Sequence, residues 1–151
     1  MYDAWKAGSR TLLALDENMA REQVKEMCAK VLSNRKPPYS LKGGLYDALV
    51  ATGGDMFLAT NEEAMEAKVL FEQLEGIDIE PAAAVALASL MQCVRERRVE
   101  EDAVIMLNIT GGGIARYKKE FNPVMQKPDL VFPVNPNPEM VKEKVRELIG
   151  K

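Results

Sequence analysis

The feature that most constrains the fold is an apolar run, "AVIMLNI" at 103–109, that ends in Thr110 and the three glycines 111–113. The run lacks the alternation of apolar and polar residues that marks a strand with one face in water. It is typical of an interior strand in a sheet that is covered on both faces. In open α/β sheets, ligands bind at the carboxyl ends of strands, and glycines let a ligand approach the backbone. The sequence therefore predicts a binding loop at Thr110, Gly111 and Gly112, although a tight turn after a buried strand explains the same residues.

Helical patterns account for most of the remaining chain. Asp16 can accept hydrogen bonds from the free amides of a helix start, and Thr60 with Glu63 forms a capping box. Pro81 and Pro138 lie at helix starts, where the missing N–H costs no hydrogen bond. The predicted helices are 16–32, a short helix within 41–54, one that begins after Thr60 and stops at Gly76, one from Pro81 through the apolar segment 82–91, and 138–149.

Strand candidates are fewer than helices. Besides 103–109, they are 55–60 and 130–134, the latter within a mostly irregular connection at 114–136. Strands that alternate with helices indicate an α/β fold with a mainly parallel sheet covered by helices. So small a sheet would leave its edges open, and the apolar segment 82–91 needs cover on every side. We therefore expect the chain to be part of a larger fold.

Composition excludes several classes of function. The 20 basic and 23 acidic residues give a net charge of −3, with no basic stripe for nucleic acid. No apolar run of membrane-spanning length and no signal-peptide pattern occurs, so we expect a soluble cytoplasmic protein. The chain has no histidine, which removes Ser-His-Asp and Cys-His catalysis. Cys28 and Cys93 form no CxxC pair, so we expect no metal site and interpret both as buried thiols. Any chemistry must depend on a cofactor, on carboxylates or on lysine.

Three segments resemble a known enzyme family. The order "EGIDIEPAAAVALASL", "VRERRVEED" and "AVIMLNITGGG" is similar to the C-terminal part of threonine synthases. These are pyridoxal 5'-phosphate (PLP) enzymes of fold type II, the tryptophan synthase β fold. The resemblance implies that the Thr110 hydroxyl hydrogen-bonds the pyridine nitrogen of the cofactor, with Gly111 and Gly112 beside it.

Departures from threonine synthases point to a relative within this group. The chain has Gly112 and then "IARYKKE" where those enzymes usually have His and "LKD", and Ala83 where a serine is common. Together with "PPYSLKGGLYDALVATGG" and "ATNEEAMEAKVLFE", these departures make the chain more similar to cysteate synthase. That resemblance implies synthesis of L-cysteate from O-phospho-L-serine and sulfite, in the route to coenzyme M.

The resemblance also implies that part of the active site lies outside this chain. The Schiff-base lysine and the glycine-rich phosphate loop of the family lie upstream, and neither motif occurs here. We therefore interpret 1–151 as the C-terminal portion of a PLP-dependent enzyme, inactive alone, whose partners are its own N-terminal portion and, in a homo-oligomer, further copies. Arg116 is a candidate for binding an anionic substrate, because its planar fork suits oxyanions. Glu80 is expected to organise the helix start, and lysines such as Lys30 to be solvated.

Two alternatives stay open at this point. A threonine synthase would convert O-phosphohomoserine to threonine with the same cofactor loop. A stand-alone, non-catalytic module could instead have kept the fold and bind a partner or a small anion. The two classes differ in one structural expectation: a portion of an enzyme should expose apolar surface that the rest of the protein covers.

Overall fold

The structure is a computed structural model that describes residues 1–14, 16–34, 36–124 and 126–150. These residues form α-helices joined by irregular segments and one short 3-10 turn at Lys30–Leu32. The α-helices are α1 Tyr2–Lys6, α2 Glu17–Glu26, α3 Leu45–Thr52, α4 Asn61–Glu75, α5 Pro81–Arg95, α6 Ile114–Phe121 and α7 Pro138–Ile149. No helix in these ranges combines the length and the hydropathy that crossing a bilayer requires.

The predicted α/β fold with a mainly parallel sheet is wrong for this chain. About half of the chain, 51%, is helical, and the described ranges contain no strand. The candidates at 55–60, 103–109 and 130–134 are all irregular. A strand requires hydrogen bonds from a neighbouring strand, which the described part of the chain does not provide. The run at 103–109 accordingly lies uncovered, with Val104 fully exposed and Met106 92% exposed.

The helix starts that carry a local signal are confirmed. The Asp16 carboxylate accepts hydrogen bonds from the amides of Asn18 and Met19, at 2.8 and 3.1 Å. The capping box is complete, since the Thr60 hydroxyl accepts from the Glu63 amide at 3.1 Å and the Glu63 carboxylate accepts from the Thr60 amide at 2.9 Å. The predicted helices around α3, α5 and α7 also form, and α4 ends before Gly76 as expected.

The end of α2 differs from its prediction because a distant residue determines it. The helix stops at Glu26 instead of continuing to residue 32. The Asn61 side chain, at the start of α4, donates to the Glu26 carbonyl at 2.9 Å and accepts from the Cys28 amide at 3.0 Å. These bonds satisfy backbone groups that would otherwise have continued the helix. Cys28 therefore lies outside a helix, and both it and Cys93 are half-buried free thiols instead of core residues.

The core lies mainly between α4 and α5, which contact each other through small residues. The buried side chains of these helices are all alanines: Ala64 and Ala67 on α4, and Ala83, Ala84 and Ala88 on α5. Ile79 is buried with Ala83 and Ala84, and Phe71 and Ile109 pack against this group. The expectation that 82–91 is buried on every side is wrong, because the rest of that segment is half-buried. Ile109 links the uncovered run to the core.

A second packed region joins α1 to α3. Trp5 packs edge-on against Tyr46, and Tyr46 packs edge-on against Tyr39, each pair with ring centroids 5.7 Å apart. Tyr39 is fully buried, and its hydroxyl donates to the Ser9 carbonyl at 2.8 Å. Tyr39 is therefore a structural residue that places the N-terminal segment against α3.

One carboxylate joins this region to the end of α5. Asp55 accepts hydrogen bonds from Arg98 at 2.7 Å, from the Lys6 ammonium at 2.9 Å and from the Trp5 indole at 2.7 Å. The pKa of Asp55 lies well below its ordinary value of 3.8 because four groups donate hydrogen bonds to the carboxylate. They are the Arg98 guanidinium, the Lys6 ammonium, the Trp5 indole and the Met56 amide. Asp55 therefore stabilises the fold in its charged form.

Replacing Asp55 tests this arrangement through the pH dependence of stability. Because the folded-state pKa is depressed, the contribution of Asp55 is fully present above its ordinary pKa of 3.8 and is lost as the pH falls towards the folded-state pKa. We expect Asp55→Asn to lower the urea midpoint at pH 7, and the difference from the unmodified chain to shrink below pH 4. Asp102→Asn, at an exposed turn, is the matched control and should leave the midpoint unchanged. A constant difference at every pH would contradict the prediction.

Candidate functional site

A cleft of about 350 Å³ lies where three separate segments meet. One wall is the segment Cys28, Ala29, Lys30 and Val31 that follows α2; the second is Glu80, Pro81 and Ala82 at the start of α5; the third is Thr110 and Gly111. The first wall is held by Asn61, which bonds the Cys28 amide. Two of the predicted site residues, Thr110 and Gly111, therefore lie in one cleft with the start of α5.

The Thr110 hydroxyl is available for a ligand. The residue is exposed and lines the cleft, and none of the residues that the structure describes forms a hydrogen bond with its side chain. A threonine hydroxyl can donate one hydrogen bond and accept others. It can therefore bind a neutral or weakly basic acceptor, such as a ring nitrogen, without supplying a charge.

The glycine segment is joined to residues 78–80 by backbone hydrogen bonds. The Gly113 amide donates to the Asp78 carbonyl at 2.7 Å, and the Glu80 amide donates to the Gly111 carbonyl at 2.9 Å. Between them, Ile79 and Gly112 form an isolated antiparallel bridge. These bonds connect the loop after Thr110 directly to the start of α5, so the second and third walls of the cleft are one unit.

Gly112 is required by contact within the protein. A Cβ atom at this position would lie 2.3 Å from the Asp78 carbonyl oxygen and 3.0 Å from the Ile79 Cα, and both are backbone atoms that cannot turn away. Gly112 lies against Ile79, and it does not line the cleft as Thr110 and Gly111 do. The structure thus gives the glycine a packing reason, whereas a role beside a ligand stays a prediction.

Asp78 is a residue of this site that the sequence did not reveal. Its side chain is 8% exposed, and its carboxylate accepts from the Ala115 amide at 3.1 and 3.2 Å, at the start of α6. The Ala115 amide, with a further contribution from the Arg116 amide, holds the pKa of Asp78 below its ordinary value. This carboxylate explains α6, which we predicted as an irregular connection, because Gly113 precedes the helix without a side chain to cap it. An acidic residue inside the apolar stretch "IDI" was the available signal.

Glu80 has the organising position expected of it. Its amide bonds the Gly111 carbonyl, and its own carbonyl accepts from the Ala83 and Ala84 amides at 2.9 and 3.0 Å. Glu80 therefore connects the glycine loop to the first turn of α5 through its backbone. Its side chain lines the cleft, and a Cβ atom on Gly111 would lie 3.3 Å from its Cγ.

Arg116 lies outside this cleft. It is exposed on α6, and its Nε donates to the Glu120 carboxylate at 2.7 Å in an i,i+4 pair. The charged side chains that do line the cleft are those of Lys30 and Glu80. Among the described residues there is no group of three or more His, Cys, Asp or Glu side chains that could hold a metal ion.

Comparison with curated proteins gives a consistent set of relatives. The chain is 53% identical over 131 residues to the cysteate synthase of Methanosarcina mazei, a match that covers 86% of this chain and 32% of that protein. It is 46% identical over 147 residues to the cysteate synthase of Methanosarcina acetivorans, covering 97% of the chain and 35% of the relative. It is 43% identical over 151 residues to that of Methanocella arvoryzae, covering 99% and 35%.

The chain therefore spans about a third of the length of the curated relatives it matches. No model of a protein family matches it. The resemblance to cysteate synthase, given above on "PPYSLKGGLYDALVATGG" and "EGIDIEPAAAVALASL", is confirmed by these matches.

Two neighbouring glycines offer a matched test of the loop. Gly112→Ala should lower the free energy of unfolding by about 1–3 kcal/mol, because the added Cβ overlaps the backbone at Asp78 and Ile79. Gly111→Ala should cost less, since its new Cβ meets only the movable Glu80 side chain. Urea denaturation followed by circular dichroism measures both. Equal losses for the two variants would contradict the packing role of Gly112.

Proposed function

We propose that this chain, which is similar to cysteate synthases over most of its length, forms the C-terminal portion of a PLP-dependent cysteate synthase. In this proposal the chain provides the side of the active site that meets the pyridine edge of the cofactor. The remaining polypeptide provides the Schiff-base lysine and the phosphate loop. The observation that carries the proposal is the Thr110 hydroxyl, which lines a cleft without a protein partner among the described residues.

The residues of the cleft fit one edge of pyridoxal phosphate. When bound, this cofactor supplies an electron sink that allows a substituent on the β-carbon of an amino acid to leave. Thr110 would donate its hydroxyl hydrogen to the ring nitrogen, in the place that the resemblance implies. A neutral donor holds the nitrogen in position without protonating it, whereas a carboxylate would favour the protonated ring. Gly111, beside Thr110, keeps the wall of the cleft free of a side chain.

The proposed reaction replaces one β-substituent by another. The bond between the β-carbon and the ester oxygen of O-phospho-L-serine breaks and releases phosphate. A bond then forms between the same carbon and the sulfur of sulfite, which gives L-cysteate. Both the leaving group and the nucleophile are anions. Among the described residues, Lys30 is the cation that lines the cleft. Arg116 stays a weaker candidate for binding an anion because Glu120 already pairs with it.

Uncovered apolar residues support the view that this chain is one portion of an enzyme. Large apolar side chains are exposed along the unpaired run at Val104 and Met106, and again at Val124 and Val134. A monomer that folds alone rarely leaves so much apolar surface in water. This observation favours the enzyme portion over a stand-alone binding module, for which the surface should be polar.

Restoring the missing portion tests the function. We would place this chain in the Methanosarcina mazei cysteate synthase in exchange for the matching segment, and measure phosphate release from O-phospho-L-serine with and without sulfite. We expect sulfite-dependent release from the chimera and none from the isolated chain. Thr110→Val should lower kcat/KM roughly tenfold, the equivalent of one hydrogen bond of about 1.4 kcal/mol, whereas Thr110→Ser, which keeps the hydroxyl, should retain most activity.

The other outcomes of this experiment are distinct. Phosphate release from O-phosphohomoserine, with threonine as product, would replace the proposal by threonine synthase. A folded chimera that binds the cofactor and turns over neither substrate would overturn the enzyme proposal, provided that the unmodified relative is active under the same conditions. Equal activity of the Val and Ser variants would remove Thr110 from the cofactor site.

A further inference from the structure

Among the residues that the structure describes, Asp78 is the one charged residue that is buried. Removing a carboxylate from water is costly unless hydrogen bonds replace those with water. No lysine or arginine among the described residues lies within ion-pair distance of it. Its partners are backbone amides at the start of α6. The hydrogen bonds to this buried carboxylate come from backbone amides, and Lys68 contributes only an electrostatic attraction beyond ion-pair distance. This arrangement indicates a role in fixing backbone.

Asp78 holds the same short segment from two sides. Its carbonyl oxygen accepts from the Gly113 amide at 2.7 Å, and its carboxylate accepts from the Ala115 amide at 3.1 and 3.2 Å. Gly113 has a φ of +73°, a conformation that most residues avoid, and the α6 start that follows has no cap of its own. Glycine adopts this φ readily, so the local sequence allows the turn, and the Asp78 side chain supplies the cap that the α6 start lacks.

This turn determines where Thr110 lies. The Gly111 carbonyl bonds the Glu80 amide, and Gly113 bonds Asp78, so the loop is fixed immediately after Thr110. At the same residues the chain enters α5, whose first turn forms the adjoining wall of the cleft. Loss of the carboxylate would free the α6 start, weaken the Gly113 bond beside it and let the loop with Thr110 move relative to α5.

We propose that Asp78 is a positioning residue of the active site, which holds the loop after Thr110 so that the Thr110 hydroxyl faces the cleft. It acts through Thr110 and touches neither substrate nor cofactor. The inference has two halves. The structural half, that Asp78 fixes the loop, concerns this chain alone. The functional half, that the fixed loop presents Thr110 to the cofactor, rests on the proposed function.

The structural half is tested by amide hydrogen exchange in the chimera, in which the rest of the enzyme is present, followed by NMR. Asp78→Ala should speed exchange at Gly113 and Ala115 at least tenfold, while amides within α4 change little. Asp78→Asn, which keeps one acceptor oxygen of the same reach, should restore most of the protection. Asp102→Ala, at an exposed acidic residue, is the control and should change neither amide. Unchanged exchange in both Asp78 variants would overturn the proposal whatever the function of the enzyme.

The functional half is tested in the chimera by combining substitutions. Asp78→Ala should lower kcat roughly tenfold, as should Thr110→Val. Because Asp78 acts through Thr110, the double variant should lose no more than Thr110→Val alone. Independent effects would multiply to about a hundredfold loss, as they would for a merely structural role, and that result would overturn the proposal.

Two further observations keep the tests separate. If Asp78→Ala does not fold in the chimera, Asp78→Leu, which is similar in size and lacks an acceptor, takes its place in the same cycle with the same expected loss. An unmodified chimera that folds but lacks sulfite-dependent turnover counts against the proposed function, whereas the exchange measurement on Gly113 and Ala115 decides the role of Asp78 independently.

Discussion

The rest of the site depends on the hydrogen bonds that join residues 78–80 to residues 111–113. They join two segments that are far apart in sequence, and they do so through backbone atoms and one buried carboxylate. The start of α5, the start of α6 and the position of Thr110 all follow from them. Their geometry is also demanding, because the two backbones approach so closely at Gly112 that no Cβ fits between them.

The opposite wall of the cleft depends on a second long-range connection of the same kind. The Asn61 side chain bonds backbone groups on both sides of the end of α2 and so places Cys28 and the residues after it. Asn61 begins α4, which packs on α5 through alanines small enough for the two helices to lie close together. Both walls are thus positioned from the same pair of helices, and the cleft is a consequence of the α4–α5 packing.

The sequence predicted those parts of the fold whose signals are local. Asp16, the Thr60–Glu63 pair and Pro81 each mark a helix start with residues a few positions apart, and these starts are confirmed. The end of α2 and the whole of α6 were missed because their hydrogen-bond partners, Asn61 and Asp78, lie 33 or more residues away.

The sheet could not be judged from the sequence for a related reason. An apolar run indicates a preference for strand, whereas a strand forms only beside a partner that supplies the other half of each hydrogen bond. For the site, the resemblance identified Thr110, and the glycines were evident, but the wall at Cys28 to Val31 depends on tertiary contacts. No short motif could have brought that wall next to Thr110.

The uncovered run has a consequence for the behaviour of the chain in concentrated solution. Residues 104–109, "VIMLNI", form a six-residue window without charge, proline or glycine, the composition of segments that stack into cross-β fibrils. Their backbone groups, unpaired within the described ranges, offer a template to the same residues of another copy. Cover over this window is therefore a condition for colloidal stability, and the absence of cover limits how long the chain stays dispersed during synthesis.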